Sequence, residues 1–260
     1  MSLRRCISCS CLSLALYFSS IVPSVFLGQI SPAPAEPASG QASDGKAPIQ
    51  VSPELEGDLL AVRGRYLDAI AVYKKAPQDS AVVVNKIGVA YHHMFDLVDA
   101  KKSYERAIQL NPRYAEALNN LGAVYQAEKN YKQAQRLYKR AIKLNPNSPL
   151  FYSNLGTSYF FEGNTRKGAA AYRQAFALDP QIFDHTSGSR IEEASSSKDL
   201  AAVNYVLAET YAQAGMNDRA LTYLRRALAE GFSDRKKLMN DPELASLRET
   251  PEFIQLISGH

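Results

Sequence analysis

An all-α fold, an α-solenoid of about five helix-turn-helix repeats closed by a C-terminal helical cap, is what this 260-residue sequence predicts, and three observations predict it. First, matching residues recur every 34 positions from Gly88 to Pro180: Gly88, Gly122 and Gly156; Tyr91, Tyr125 and Tyr159; Tyr104, Tyr138 and Tyr172; Ala107, Ala141 and Ala175; Pro112, Pro146 and Pro180. Second, each period divides into two amphipathic helical patterns separated by a break. Third, there are 15 tyrosines and no tryptophan, and eight tyrosines (Tyr73, Tyr91, Tyr104, Tyr125, Tyr138, Tyr159, Tyr172 and Tyr211) fill the two recurring aromatic places. The aromatic content is therefore spent on packing.

Residues 1–28 read as an export signal, with Arg4 and Arg5 ahead of a largely apolar run from Leu12 to Leu27. That run holds Pro23 and four serines and is short for a membrane span of about 20 residues. Cleavage is expected after Gly28, with Val22-Pro23-Ser24 and Ala33-Pro34-Ala35 as competing sites. A periplasmic or extracellular destination follows. Cys6, Cys9 and Cys11 all precede or begin the apolar run, so a cleaved chain has no thiol and no disulfide. Residues 29–49 are rich in Pro, Ala, Ser and Gly and poor in large apolar side chains, the composition of a flexible linker.

Residues 50–182 hold the first four units. The first, 50–80, keeps Gly57, Leu60, Gly64, Ala69, Tyr73 and Ala76 at the repeat offsets, but Pro77 arrives early. The third, Ala115 to Ser148, is the cleanest. Leu118, Leu121, Gly122 and Tyr125 make one apolar stripe, and Ala134, Leu137, Tyr138, Ala141 and Ile142 make the next. Lys129 and Asn130 interrupt the pattern. Asn145-Pro146 ends the unit, because proline cannot continue a helix and the residue before it avoids the α region. Gly122 and the alanines let two backbones approach, while Leu121, Tyr125 and Tyr138 fill the remaining volume.

After Pro180 a unit is due, yet the fifth begins near Ala201. Residues 183–200 are thus an insertion, a polar surface connection with a short helix over Arg190 to Ala194. Residues 201–234 form the fifth unit, with Ala208 in place of the glycine and Leu224 in place of the tyrosine. Residues 235–260 pair short apolar clusters with Asp241-Pro242 and Thr250-Pro251 as helix starts, a cover for the exposed end of the array.

These units resemble the tetratricopeptide repeat family. The matches are Ile87-Gly88-Tyr91-Ala100-Tyr104-Ala107-Pro112, Leu121-Gly122-Tyr125-Ala134-Tyr138-Ala141-Pro146 and Leu155-Gly156-Tyr159-Gly168-Tyr172-Ala175-Pro180. The resemblance implies a non-enzymatic scaffold that binds a protein or extended peptide in a concave groove lined by the first helices. The family's groove places fall here on Asn85, Lys86, His92 and His93; on Glu116, Asn119, Asn120 and Gln126; on Ser153, Asn154, Thr157, Phe160 and Phe161; and on Tyr205 and Glu209.

Asn120 and Asn154 recur at one place, and an amide offers both donor and acceptor to a peptide backbone of any sequence. Phe160 and Phe161 read either as an exposed aromatic anchor or, for one of them, as core. Lys86 alone matches the basic residues with which relatives clamp a C-terminal carboxylate, so no such clamp is expected. An alternative function is a structural subunit of an envelope assembly, making contact through insertion, cap or convex face.

Chemistry has little foothold. His92 and His93 are neighbours whose side chains diverge by about 100° on a helix, which suits no shared metal ion. No phosphate-binding loop, nucleophile elbow or metalloprotease motif is present. No cofactor, metal or small-molecule substrate is expected. Removing residues 1–35, which carry two arginines and no acid, takes the net charge from +4 to +2, which argues against nucleic acid and anionic lipid. Membrane contact is expected only through an uncleaved signal. Lys132, Arg136, Lys139, Arg140 and Lys143 on one second helix read as a solvated outer face or as an attraction for an acidic partner.

Overall fold

The computed structural model describes residues 51–186 and 197–258. The expected signal, the linker and the expected helix at Arg190 to Ala194 lie outside them. The described chain is helical throughout: α1 (Pro53–Val62), α2 (Tyr66–Tyr73), α3 (Ala81–His93), α4 (Leu97–Leu110), α5 (Ala115–Ala127), α6 (Tyr131–Leu144), α7 (Pro149–Phe161), α8 (Thr165–Leu178), α9 (Ile182–Thr186), α10 (Ser197–Gln213), α11 (Asn217–Ala229), α12 (Arg235–Asn240), a 3₁₀ segment (Pro242–Leu247) and α13 (Pro251–Ser258). Consecutive helices pack as antiparallel hairpins, and each hairpin stacks on the next. The predicted all-α solenoid is the observed architecture.

One turn design closes every first helix. The backbone N–H of Arg65, Asp96, Asn130, Asn164 and Met216 donates to the carbonyl of Leu60, Tyr91, Tyr125, Tyr159 and Tyr211, at 2.8–3.0 Å. This six-residue closure needs a left-handed residue just before the donor. Gly64, Gly163 and Gly215 supply it, whereas Phe95 (φ 60°) and Lys129 (φ 58°) adopt it against the preference of their Cβ. Asp96, Asn130 and Asn164 then cap the second helix, accepting from the N–H of Asp99, Gln133 and Lys167. Each second helix of the middle units ends on Asn111, Asn145 or Asp179, whose side chain accepts the N–H two residues on and starts the next turn.

Within each of the first four hairpins a glycine meets a tyrosine. Gly57, Gly88, Gly122 and Gly156 face the rings of Tyr73, Tyr104, Tyr138 and Tyr172 so closely that a Cβ on any of them would overlap ring carbons. All four rings are buried. In the fifth unit both partners change together: Ala208 and Leu224 are each fully buried. A branched aliphatic end occupies less depth than a phenol ring and leaves room for one methyl. The first unit forms its hairpin with a short second helix of eight residues.

The insertion departs from a solvated loop at its start. In α9, Phe183 is 1% exposed, its ring 4.7 Å from that of Tyr172, and its carbonyl accepts from the Tyr223 hydroxyl. The Tyr211 hydroxyl donates to the carbonyl of Pro180. Aromatic side chains of two units thus bind this segment into the core, because the wider gap left by the broken period needs filling. At the far end Leu238, Leu244, Leu247 and Phe253 are buried against α10 and α11. Asp241 and Thr250 cap the segments that follow them.

Candidate functional site

The first helices α3, α5 and α7 carry a continuous chain of side-chain amides. Asn154 Nδ2 donates to Asn119 Oδ1 at 2.9 Å, Asn119 Nδ2 to Asn120 Oδ1 at 3.4 Å, and Asn120 Nδ2 to Asn85 Oδ1 at 3.1 Å. The geometry follows from the period: residues five and six places into a unit lie one helix spacing from their counterparts in the next. Asn85 and Asn119 are buried, while Asn120 and Asn154 are half-buried. An amide has two donor hydrogens and two acceptor lone pairs, and these bonds occupy only some of them. The chain can therefore hold its own conformation and still hydrogen-bond a ligand.

Other expected site residues are committed to the scaffold. The hydroxyl of each packing tyrosine extends past its glycine and is met by a groove-place side chain. Tyr73 donates to Asp58 at 2.7 Å, and Tyr138 to Gln126 at 3.4 Å. Tyr104 lies 3.4 Å from His92 Nδ1, and Tyr172 shares a 2.8 Å bond with Thr157. His92, Gln126 and Thr157 thus serve as hydroxyl partners. Burial, then the bond to Asp58, raises the Tyr73 phenol well above its ordinary value. Leu224 has no hydroxyl, and the fifth unit follows another plan.

Four expected contacts are corrected: Asn85 (6% exposed) and Asn119 (3%) are buried and hold Asn120 and Asn154 in place rather than reaching a ligand, and Phe160 and Thr157 turn inward. Phe160 is 2% exposed, packed edge-on to Tyr172 at 5.1 Å and against Gly168, so it belongs to the core. Thr157 is 6% exposed, with its hydroxyl also bonded to the Ser153 carbonyl. Phe161 is the half-buried member of the pair, edge-on to Tyr131. His93 lies flat on Tyr66 at 4.9 Å.

Lys86 is also engaged. Its Nζ lies 2.6 Å from Glu54 and 2.7 Å from Asp58 across the first two units. Burial pushes this ammonium down, but the bonds from Asp58 and Glu54 outweigh it and hold the group above its usual value. A ligand carboxylate would have to displace both acids.

At the other end Tyr205 and Glu209 are closed off. Tyr205 is stacked on Phe232 at 4.2 Å and donates to Asp241 at 2.6 Å. Glu209 pairs with Lys237 at 3.1 Å and Arg173 at 3.5 Å, and Arg173 also reaches Glu243 at 2.9 Å. Burial, then the bond with Asp241, pushes the Glu209 carboxyl up to about 7. Glu209, Asp241 and Glu243 bring three carboxylates within 4.8 Å of one another. Two cations, Lys237 and Arg173, already sit among them, so the cluster ties the fourth and fifth units to the C-terminal segment. Sequence reasoning missed it, although Leu224 marks the unit where the usual hydroxyl is lost.

Tetratricopeptide repeat models match residues 115–148, 137–168 and 205–236, and a TPR repeat model matches 96–129. No curated protein matches the chain. Among solved structures, a crystal structure of MamA is 25% identical with a TM-score of 0.47, covering 67% of this chain and 93% of that one. MamA 41-end from Desulfovibrio magneticus RS-1 is 18% identical with a TM-score of 0.48, covering 67% and 90%. TTC0263, a thermophilic TPR protein in Thermus thermophilus, is 21% identical with a TM-score of 0.47, covering 75% and 97%.

Proposed function

Because the chain belongs to the tetratricopeptide repeat family, whose members are in general non-catalytic protein-interaction scaffolds, we propose that it holds an extended protein segment along α3, α5 and α7. The amide chain Asn154–Asn119–Asn120–Asn85 carries this reading. An extended peptide presents alternating N–H and C=O groups, and a row of amides fixed by mutual hydrogen bonds meets them whatever the peptide's sequence. Pre-organisation lowers the ordering cost of binding, since the row keeps its shape without the ligand.

The groove offers the ligand the unused valences of Asn120 and Asn154, with Phe161 at one side. Tyr205 and Glu209 lie beneath the C-terminal segment, which confines the bound stretch to the second, third and fourth units. The protein works outside the cytoplasm in this proposal, exported through residues 1–28. The test replaces Asn120 and Asn154 together with alanine and compares affinity capture from the source cells. Loss of the wild-type partner with unchanged helix content by circular dichroism is expected. Undiminished capture contradicts groove binding.

A further inference from the structure

The helix that begins the array exposes an apolar stripe on the side away from the core. On α1, Gly57, Leu60 and Ala61 turn toward α2 and α3. Leu55 (51% exposed), Leu59 (48%) and Val62 (88%) lie opposite, within about 60° of one another at 100° per residue, and Val51 (43%) is exposed just ahead of the helix. Three large apolar side chains aligned on one exposed helix face, with a fourth exposed just before its cap, are more than the scattered exposure normal for a folded chain.

Charges on the two flanks of the stripe differ in their use. Glu54 and Asp58 on one flank are neutralised by Lys86. Glu56 and Arg63 lie together on the other flank, both exposed, and neither is in an ion pair among the described residues. The acid sits near the start of the helix and the base just past its end. Such a helix is complementary to itself when reversed.

We infer that α1 is a self-association surface whose occupant is the α1 of a second copy, packed antiparallel about a two-fold axis near Leu59. In this arrangement Leu55 of one copy meets Val62 of the other, the two Leu59 side chains meet at the axis, and Glu56 pairs with Arg63 twice. Isologous contact follows from the symmetry, and the interface closes at two copies. Two helices of ten residues bury well under the roughly 800 Å² per partner of a standard interface, so association is micromolar or weaker. It uses a different face from the amide chain.

Sedimentation equilibrium of the purified protein from low micromolar to submillimolar concentration tests this, with circular dichroism confirming the fold of each variant. The wild type is expected to form a reversible dimer, and Leu59→Glu to abolish it without loss of helix, since Leu59 faces away from the core. Glu56→Arg and Arg63→Glu should each weaken self-association roughly tenfold, as two attractive pairs become repulsive. Mixed together, those two single variants should associate with each other, because every pair across the mixed interface is again attractive. A monomer at all concentrations overturns the inference, as would happen if another part of the same chain covered the stripe. So does a dimer indifferent to these charges, or a mixture no tighter than its components.

Discussion

Gly122 and Tyr138 are matched across the third hairpin: a Cβ on Gly122 would stand 2.6 Å from Cε1 of the Tyr138 ring. Gly88 and Tyr104 repeat the relation at 2.7 Å, and in the fifth unit Ala208 and Leu224 stand at the two places, both fully buried in one core cluster. The pairing is therefore a steric unit whose two members change together within one chain.

Gly122→Ala is expected to destabilise the protein by about 1–3 kcal/mol through overpacking, which outweighs the gain of up to about 1 kcal/mol in helix propensity. Tyr138→Leu alone should also destabilise, by leaving a cavity and an unpartnered Gln126. Combined, the two should cost less than their sum, because together they reproduce the fifth unit. A double-mutant cycle by urea denaturation reads the coupling. Strict additivity would refute the steric account.

Lys129 holds the left-handed place that glycine holds in three other units. It is exposed, so its side chain contributes little packing. Lys129→Gly should raise stability by up to about 1 kcal/mol, seen as a higher urea midpoint, since relief of the Cβ clash exceeds the added chain entropy. A lower midpoint would mean that the side chain has a role the turn geometry does not reveal.

Glu209 gives the C-terminal lock a pH dependence of defined sign. Its folded-state value, about 7, is above the 4.5 of a free glutamate, so between these values the folded state holds a proton that the unfolded state has lost. This group's contribution is fully present below about 4.5 and declines as pH rises toward 7, at no more than about 1.4 kcal/mol per pH unit. Lys237, Arg173 and Asp241 surround the carboxyl. Glu209→Gln should flatten that decline, measured as unfolding midpoints between pH 4.5 and pH 7.5. An unchanged slope would assign the dependence to other groups.

The period made the hairpins legible because it records local contacts that repeat: glycine with a tyrosine sixteen residues on, alanines between paired helices, an Asx residue at each turn of the second to fourth units. What escaped it depends on unlike neighbours. His92, Gln126 and Thr157 occupy groove places, yet the hydroxyls that claim them come from tyrosines that the pattern reads only as bulk. Phe160 turns inward because Gly168, where the neighbouring units carry alanine, opens a space for its ring. Phe183 is buried because the interrupted period leaves room among Tyr172, Tyr211 and Tyr223, a cavity no single unit encodes. The amide chain lies between these cases: the places of Asn120 and Asn154 were visible, but the links through Asn85 and Asn119 needed the stacking geometry.

The claim that a protein segment lies along α3, α5 and α7 is tested most directly by site-specific photo-crosslinking. A photoreactive side chain replaces Asn154 in the groove or Arg140 on the exposed face of α6, and crosslinked partners are identified from the source cells. A protein partner crosslinked from position 154 and not from position 140 is expected. A partner crosslinked from position 140 alone would contradict it.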